Sequence, residues 1–139
     1  MVPGKAKLYL EILAILHIIV GLGLPFLVDT WLFNYYNLLL LSAFNTNSTE
    51  ALALGNFMVG LLGPTIASWG VMFLFIVRYA FRTASRTAWL CMLTAIIGWS
   101  IYDIALSMVA GVYLNVVIDL IVLCFLLPPL ILCKNHFIN

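Results

Sequence analysis

Four ionisable side chains sit inside long apolar stretches of this sequence: Glu11, His17, Asp103 and Asp119. Placing such a group in hydrocarbon costs at least about 2.5 to 3.5 kcal/mol on insertion scales, so each calls for a reason. Asp103 and Asp119 stand eight residues on either side of Gly111. With Gly111 as the apex of a helical hairpin, both carboxyls reach one depth, about 12 Å below the turn at 1.5 Å per residue. Ser107 and Asn115, each four residues from Gly111, set a hydroxyl and an amide one turn above the acids. Trp99, Asp103 and Ser107 recur every four residues, as do Asn115 and Asp119, so each helix carries a narrow polar stripe. His17 falls near the middle of the first apolar stretch, about 16 Å from its outer end and close to the depth of the acids.

This grouping admits three kinds of chemistry, and the residues alone leave them open. Two carboxyls in a low-dielectric site do not both ionise cheaply, so one holds a proton or shares it with His17, as proton relays in membrane proteins do. The same residues can act as a structural latch. A protonated Asp that bonds Asn115, Ser107, Trp99 or a backbone carbonyl ties the hairpin together, at about 1 to 2 kcal/mol per bond. A docking face for another membrane subunit is the third. Glu11 is different, because it lies one turn from the end of its stretch, where it can reach water or pair with Lys7.

The elements that carry these residues follow from composition. Hydrophobic residues make up 65% of the 139, charged residues only 8%, and the mean hydropathy is +1.19; soluble domains carry roughly a quarter of their residues as charges. A crossing needs about 20 apolar residues, and the chain offers four such stretches, residues 8–28, 51–77, 89–110 and 113–133. The expected fold is therefore all-α, a single polytopic domain forming a four-helix transmembrane bundle. The first stretch runs past the length of a signal-peptide core and lacks a convincing A-x-A site, so it reads as a retained helix.

All six Lys and Arg fall beside one set of ends: Lys5 and Lys7 before the first span, Arg78, Arg82 and Arg86 between the second and third, Lys134 after the fourth. The positive-inside rule then places both termini in the cytoplasm. On the outer side a short turn at Gly111 joins spans three and four. The other outer connection, Asp29 to Glu50, is too apolar for a solvated loop and too short to cross. Its residues 30–44, with Trp31, Phe33, Tyr35 and Tyr36, read as an interfacial helix that is either an aromatic belt or a lid over a cavity. Asn47-Ser48-Thr49 matches a glycosylation acceptor.

Pro25, Pro64 and Pro128-Pro129 predict kinks or terminations in spans one, two and four. Gly63 and Ala67 form a small-xxx-small pair that marks span two as a close-packing helix. Ala88, Cys91, Ala95, Gly98 and Ala105 make a comparable seam on span three.

Other chemistries find no residues. A net charge of +1 with no basic run gives no footprint for nucleic acid. Cys91, Cys124 and Cys133 lack C-x-x-C spacing and read as small apolar fillers. His136 is the only other histidine, so paired haem ligands are not expected, nor is a Glu-x-x-His metal site. The sequence contains no G-x-S-x-G, H-E-x-x-H or phosphate-binding glycine loop. No cofactor or metal is expected, and the partners are membrane lipid and either further copies of the chain or a larger membrane complex.

The stretch Gly60-Leu61-Leu62-Gly63-Pro64-Thr65-Ile66-Ala67-Ser68-Trp69-Gly70, followed by Trp99-Ser100-Ile101-Tyr102-Asp103 with Ser107, Gly111 and Asn115, resembles the BphX-like family of small four-span bacterial membrane proteins. The resemblance implies a bacterial inner-membrane protein and supplies no catalytic residues. A weaker likeness, through Glu11 in the first span, is to the small multidrug transporters, from which the acids of spans three and four depart. The favoured function is a non-enzymatic accessory or self-associating subunit with a buried polar latch. The alternatives are a proton-linked carrier or channel using Asp103, Asp119 and His17, and a membrane enzyme acting on a lipid-like substrate.

Overall fold

The computed structural model describes residues 3–28, 30–45 and 48–138. Its elements are α1 (Pro3–Leu27), α2 (Trp31–Ala43), α3 (Thr49–Thr83), α4 (Arg86–Val109), α5 (Tyr113–Leu132) and α6 (Asn135–Ile138). Among the described residues there is no strand. Helices α1, α3, α4 and α5 are each long and apolar enough to cross a membrane, and only 22% to 28% of their most apolar windows is buried. The remaining surface, with Ile19, Phe26, Phe75, Ile101 and Val109 exposed, is far more apolar than water tolerates on a monomer. Asn47 of the glycosylation acceptor lies outside the described residues.

Helix ends are set by local chemistry. Ser48 and Ser85 cap α3 and α4, each hydroxyl accepting a hydrogen bond from the backbone N–H three residues on, at 3.1 and 3.2 Å. α4 closes in a Schellman turn: Gly111, at φ 74°, donates to Met108 O at 3.2 Å, and Val112 donates to Ser107 O at 2.9 Å. The turn after α3 has the same form, since Ser85 N donates to Ala80 O at 3.1 Å, but an alanine occupies its left-handed position at φ 47°. A β-carbon in that conformation costs about 1 to 2 kcal/mol. Ala84→Gly is therefore expected to stabilise the protein by about 0.5 to 1 kcal/mol, read as a rise in the midpoint of thermal unfolding in detergent.

α3 runs on past residue 77 to Thr83, because the arginines end the apolar stretch without breaking the helix. Pro25 and the Pro128-Pro129 pair fall near the ends of α1 and α5, and α3 continues through Pro64. There Ser68 Oγ donates to the Pro64 carbonyl at 2.6 Å.

The most intimate contact is α1 against α3. A β-carbon built on Gly21 would come within 2.4 Å of Ala67 N and 2.6 Å of Gly63 O, and one on Gly63 within 2.5 Å of Gly21 O. The backbones touch because neither glycine has a side chain, as the Gly63/Ala67 pair predicts. α4 and α5 form the second close pair, and α3 meets α4 and α1 meets α5 over smaller areas. The span-three seam fares otherwise: Cys91, Ala95, Gly98 and Ala105 are exposed, while α4 buries Trp89, Met92, Ile96, Ser100 and Ser107. A β-carbon at Gly98 would meet nothing within 4 Å, while Cys91 and Ala95 line a crevice with Trp69, Met72, Phe73 and Ile76 of α3.

The larger core lies toward the end that carries the six cations, where Leu10, Val77, Trp89, Leu126, Leu130 and Phe137 pack together. Trp89 Nε1 donates to Leu130 O at 3.0 Å, giving a partner to a carbonyl in the last turn of α5. A smaller cluster, Leu24, Val28 and Val59 with Phe33, Tyr36 and Ile66, holds the opposite end. Along α4 and α5 the polar hairpin residues lie between the larger core and the Gly111 turn.

Candidate functional site

The hairpin brings its polar stripe together through one side chain. Asn115 Nδ2 donates both hydrogens across the α4–α5 contact, to Ser107 Oγ at 2.7 Å and to Asp103 Oδ1 at 3.3 Å. The Schellman turn fixes the register that makes this reach possible. Ser107 is buried, whereas Asp103 and Asn115 are half-buried.

Asp119 stands apart from that group. It is only 3% exposed, within electrostatic reach of the Asp103 carboxylate, yet its Oδ2 is buried without a hydrogen-bond partner. No direct hydrogen bond joins the two acids among the described residues. Equal distance from Gly111 gives equal depth, but a half turn of helical phase decides whether two side chains meet.

Tyr36 of α2 approaches from above. Burial first, and then the Asp103 and Asp119 carboxylates, push its phenol above the ordinary tyrosine range, so it remains a neutral hydrogen-bond donor at physiological pH. α2 turns one side to the bundle: Phe33 and Tyr36 pack against Leu24, Val28 and Val59, while Trp31 and Tyr35 are exposed. Asn37, fully buried, donates from Nδ2 to Asn56 Oδ1 of α3. Spacing along the chain does not single out this amide pair, although Asn37 and Asn56 in apolar segments are a usable signal.

His17 does not pair with either acid. Its Nδ1 lies 2.7 Å from Leu13 O, and its ring rests on Trp69 at 4.9 Å between centroids. The reason is the α1–α3 contact: a β-carbon at Gly70 would sit 3.0 Å from His17 Cβ, so the packing that joins these helices turns the imidazole toward α3. His17 instead lines a cavity of about 190 Å³ with Thr65, Ile66, Trp69, Trp99, Val122 and Leu126. Trp99, one turn from Asp103, belongs to this cavity and not to the hydrogen-bonded group; the acids do not line it.

Glu11, the remaining acid of the four, is held by Arg78 Nε at 3.0 Å and by Lys7 Nζ at 4.0 Å. The stronger partner comes from the other helix, 67 residues away, and local spacing could point only to Lys7.

Four apolar helices of membrane-spanning length mark a multi-pass membrane protein. No family model, curated protein or solved structure matches the chain.

Proposed function

We propose that this protein is a non-enzymatic subunit of a bacterial inner membrane, a four-helix bundle with both termini and the Arg78 to Arg86 segment in the cytoplasm. Six cations at one end and none at the other support that orientation, and the BphX-like resemblance supports the bacterial membrane. The observation that carries the functional reading is the Asn115 amide bonded to both Ser107 and Asp103. It is a latch that locks the α4–α5 hairpin rather than a site open to solute. Self-association or membership of a larger membrane complex rests on α4, whose small residues Cys91, Ala95 and Gly98 are exposed in the single chain.

A double-mutant cycle of Ser107→Ala and Asn115→Ala, followed by reversible unfolding in detergent, tests the latch. The coupling expected is about 0.6 to 1.7 kcal/mol, the range of interhelical hydrogen bonds in membranes; strict additivity sinks it. Gly98→Leu tests self-association, because a side chain there meets nothing within 4 Å of the same chain. It should reduce the particle mass to that of a monomer without lowering the unfolding midpoint, and a monomeric wild-type particle removes the idea.

A second reading, a proton-linked carrier, draws on one observation. Asp119 is a buried acid with an unpartnered oxygen beside a second carboxylate, and intramembrane acids of this kind serve proton and ion pathways. Loss of pH-dependent flux in proteoliposomes on Asp119→Asn is its signature.

A further inference from the structure

We infer that the cavity beside His17 is a binding site for a compact, uncharged hydrophobic alcohol that enters from the bilayer. The inference is independent of the latch. At about 190 Å³ the cavity is somewhat larger than the 150 Å³ apolar cavity that stays dry and admits benzene, so it suits one small ring or a short branched chain. Its walls carry no carboxylate, lysine or arginine, and a charged ligand would lose its hydration without recompense. Ile66, Val122, Leu126 and the two indoles supply hydrocarbon contact.

The polar groups that three of the lining residues carry select the functional group. His17 Nδ1 faces the Leu13 carbonyl, so it carries a proton, and in an imidazole with one proton Nε2 is the acceptor. Trp99 can only donate, and the Thr65 hydroxyl does either. Among the described residues none of Nε2, the Trp99 indole N–H and the Thr65 hydroxyl has a side-chain hydrogen bond within the chain. A hydrocarbon leaves all three unpaired, and a ketone leaves His17 unpaired. A hydroxyl donates to His17 and accepts from the others.

The wall is also fixed in advance. Leu13 O holds the imidazole, Trp69 lies against it at 4.9 Å, and Trp69 in turn stacks on Phe73 at 4.9 Å and 12°. Such support limits the ordering needed on binding. Thr65 and Trp99 are exposed and line the cavity, which provides the lateral way in.

Tribromoethanol and tribromoethane, nearly isosteric and differing in the hydroxyl, test this in the full-length protein in detergent, because bromine quenches the Trp69 and Trp99 that line the cavity. Saturable quenching by the alcohol is expected, with an apparent Kd at least about tenfold below that of the bromoalkane after correction for micelle partitioning. His17→Leu should erase that preference while leaving binding of the alkane. Val122→Phe, or Leu126→Phe if the first does not fold, should abolish saturation for both. Unsaturable quenching in the wild-type protein, equal Kd values, or tighter binding of the alkane overturns the inference, and the wild-type comparison alone is sufficient to do so. Saturation that survives both filling substitutions overturns it as well.

Discussion

Gly21→Val is expected to leave almost no folded protein, with a loss above about 3 kcal/mol where overpacking of an ordinary core costs about 1 to 3. The extra side chain would have to occupy space held by Ala67 N and Gly63 O, which a β-carbon already approaches to 2.4 and 2.6 Å. Those are backbone atoms of a packed helix and cannot rotate away, so α1 must separate from α3 along its length. Separation would also withdraw Glu11 from Arg78 and His17 from Trp69. Gly23→Ala is the control: with only the flexible Leu27 Cδ1 nearby, at 3.9 Å, it should be neutral or stabilising by about 0.5 to 1 kcal/mol, through helix propensity alone. Yield of monodisperse protein after extraction, followed by thermal unfolding, measures both. A well-folded Gly21→Val protein means that the α1–α3 register is not the one described.

How far this architecture can be read from sequence depends on whether the cause is local. Four apolar stretches predict four long helices because length and hydropathy are local properties, and the Gly111 turn is legible because a left-handed position favours glycine. The Gly63/Ala67 pair shows which helix packs closely, but its counterpart Gly21 becomes visible only with the partner helix in place. The same limit applies to Arg78 on Glu11 and Asn56 on Asn37. Spacing along a chain says what lies on one face of one helix and nothing about the rotation of its neighbour.

The candidate site shows that limit most clearly. Counting from Gly111 places Asp103, Asp119, Ser107 and Asn115 in one region, and Asn115 does reach Asp103 and Ser107. Depth alone groups His17 and Trp99 with them, yet both face the cavity. His17 follows the glycine-mediated approach of α1 to α3, a constraint from a helix that does not contain the acids.

Asp103 and Asp119 have the same chemistry and mirror positions, and they are expected to respond to substitution in opposite ways. At Asp103 the carboxylate oxygen accepts from Asn115, a role an amide oxygen can fill, so Asp103→Asn should alter stability by less than about 0.5 kcal/mol, whereas Asp103→Leu leaves the Asn115 donor short of a partner and should cost about 1 to 2. At Asp119 one oxygen is buried and unbonded, and replacing an unsatisfied buried polar group by an apolar one of similar shape relieves its desolvation. Asp119→Leu should therefore stabilise the protein by about 1 to 3 kcal/mol, seen as a higher unfolding midpoint in detergent. A loss of that size would place Asp119 inside the latch. If the gain appears, the wild-type chain retains at this position a residue that weakens its own fold, as membrane proteins do where an acid serves function. Abolished pH-dependent flux in the same variant then separates a carrier from a subunit whose acid binds a neighbouring protein.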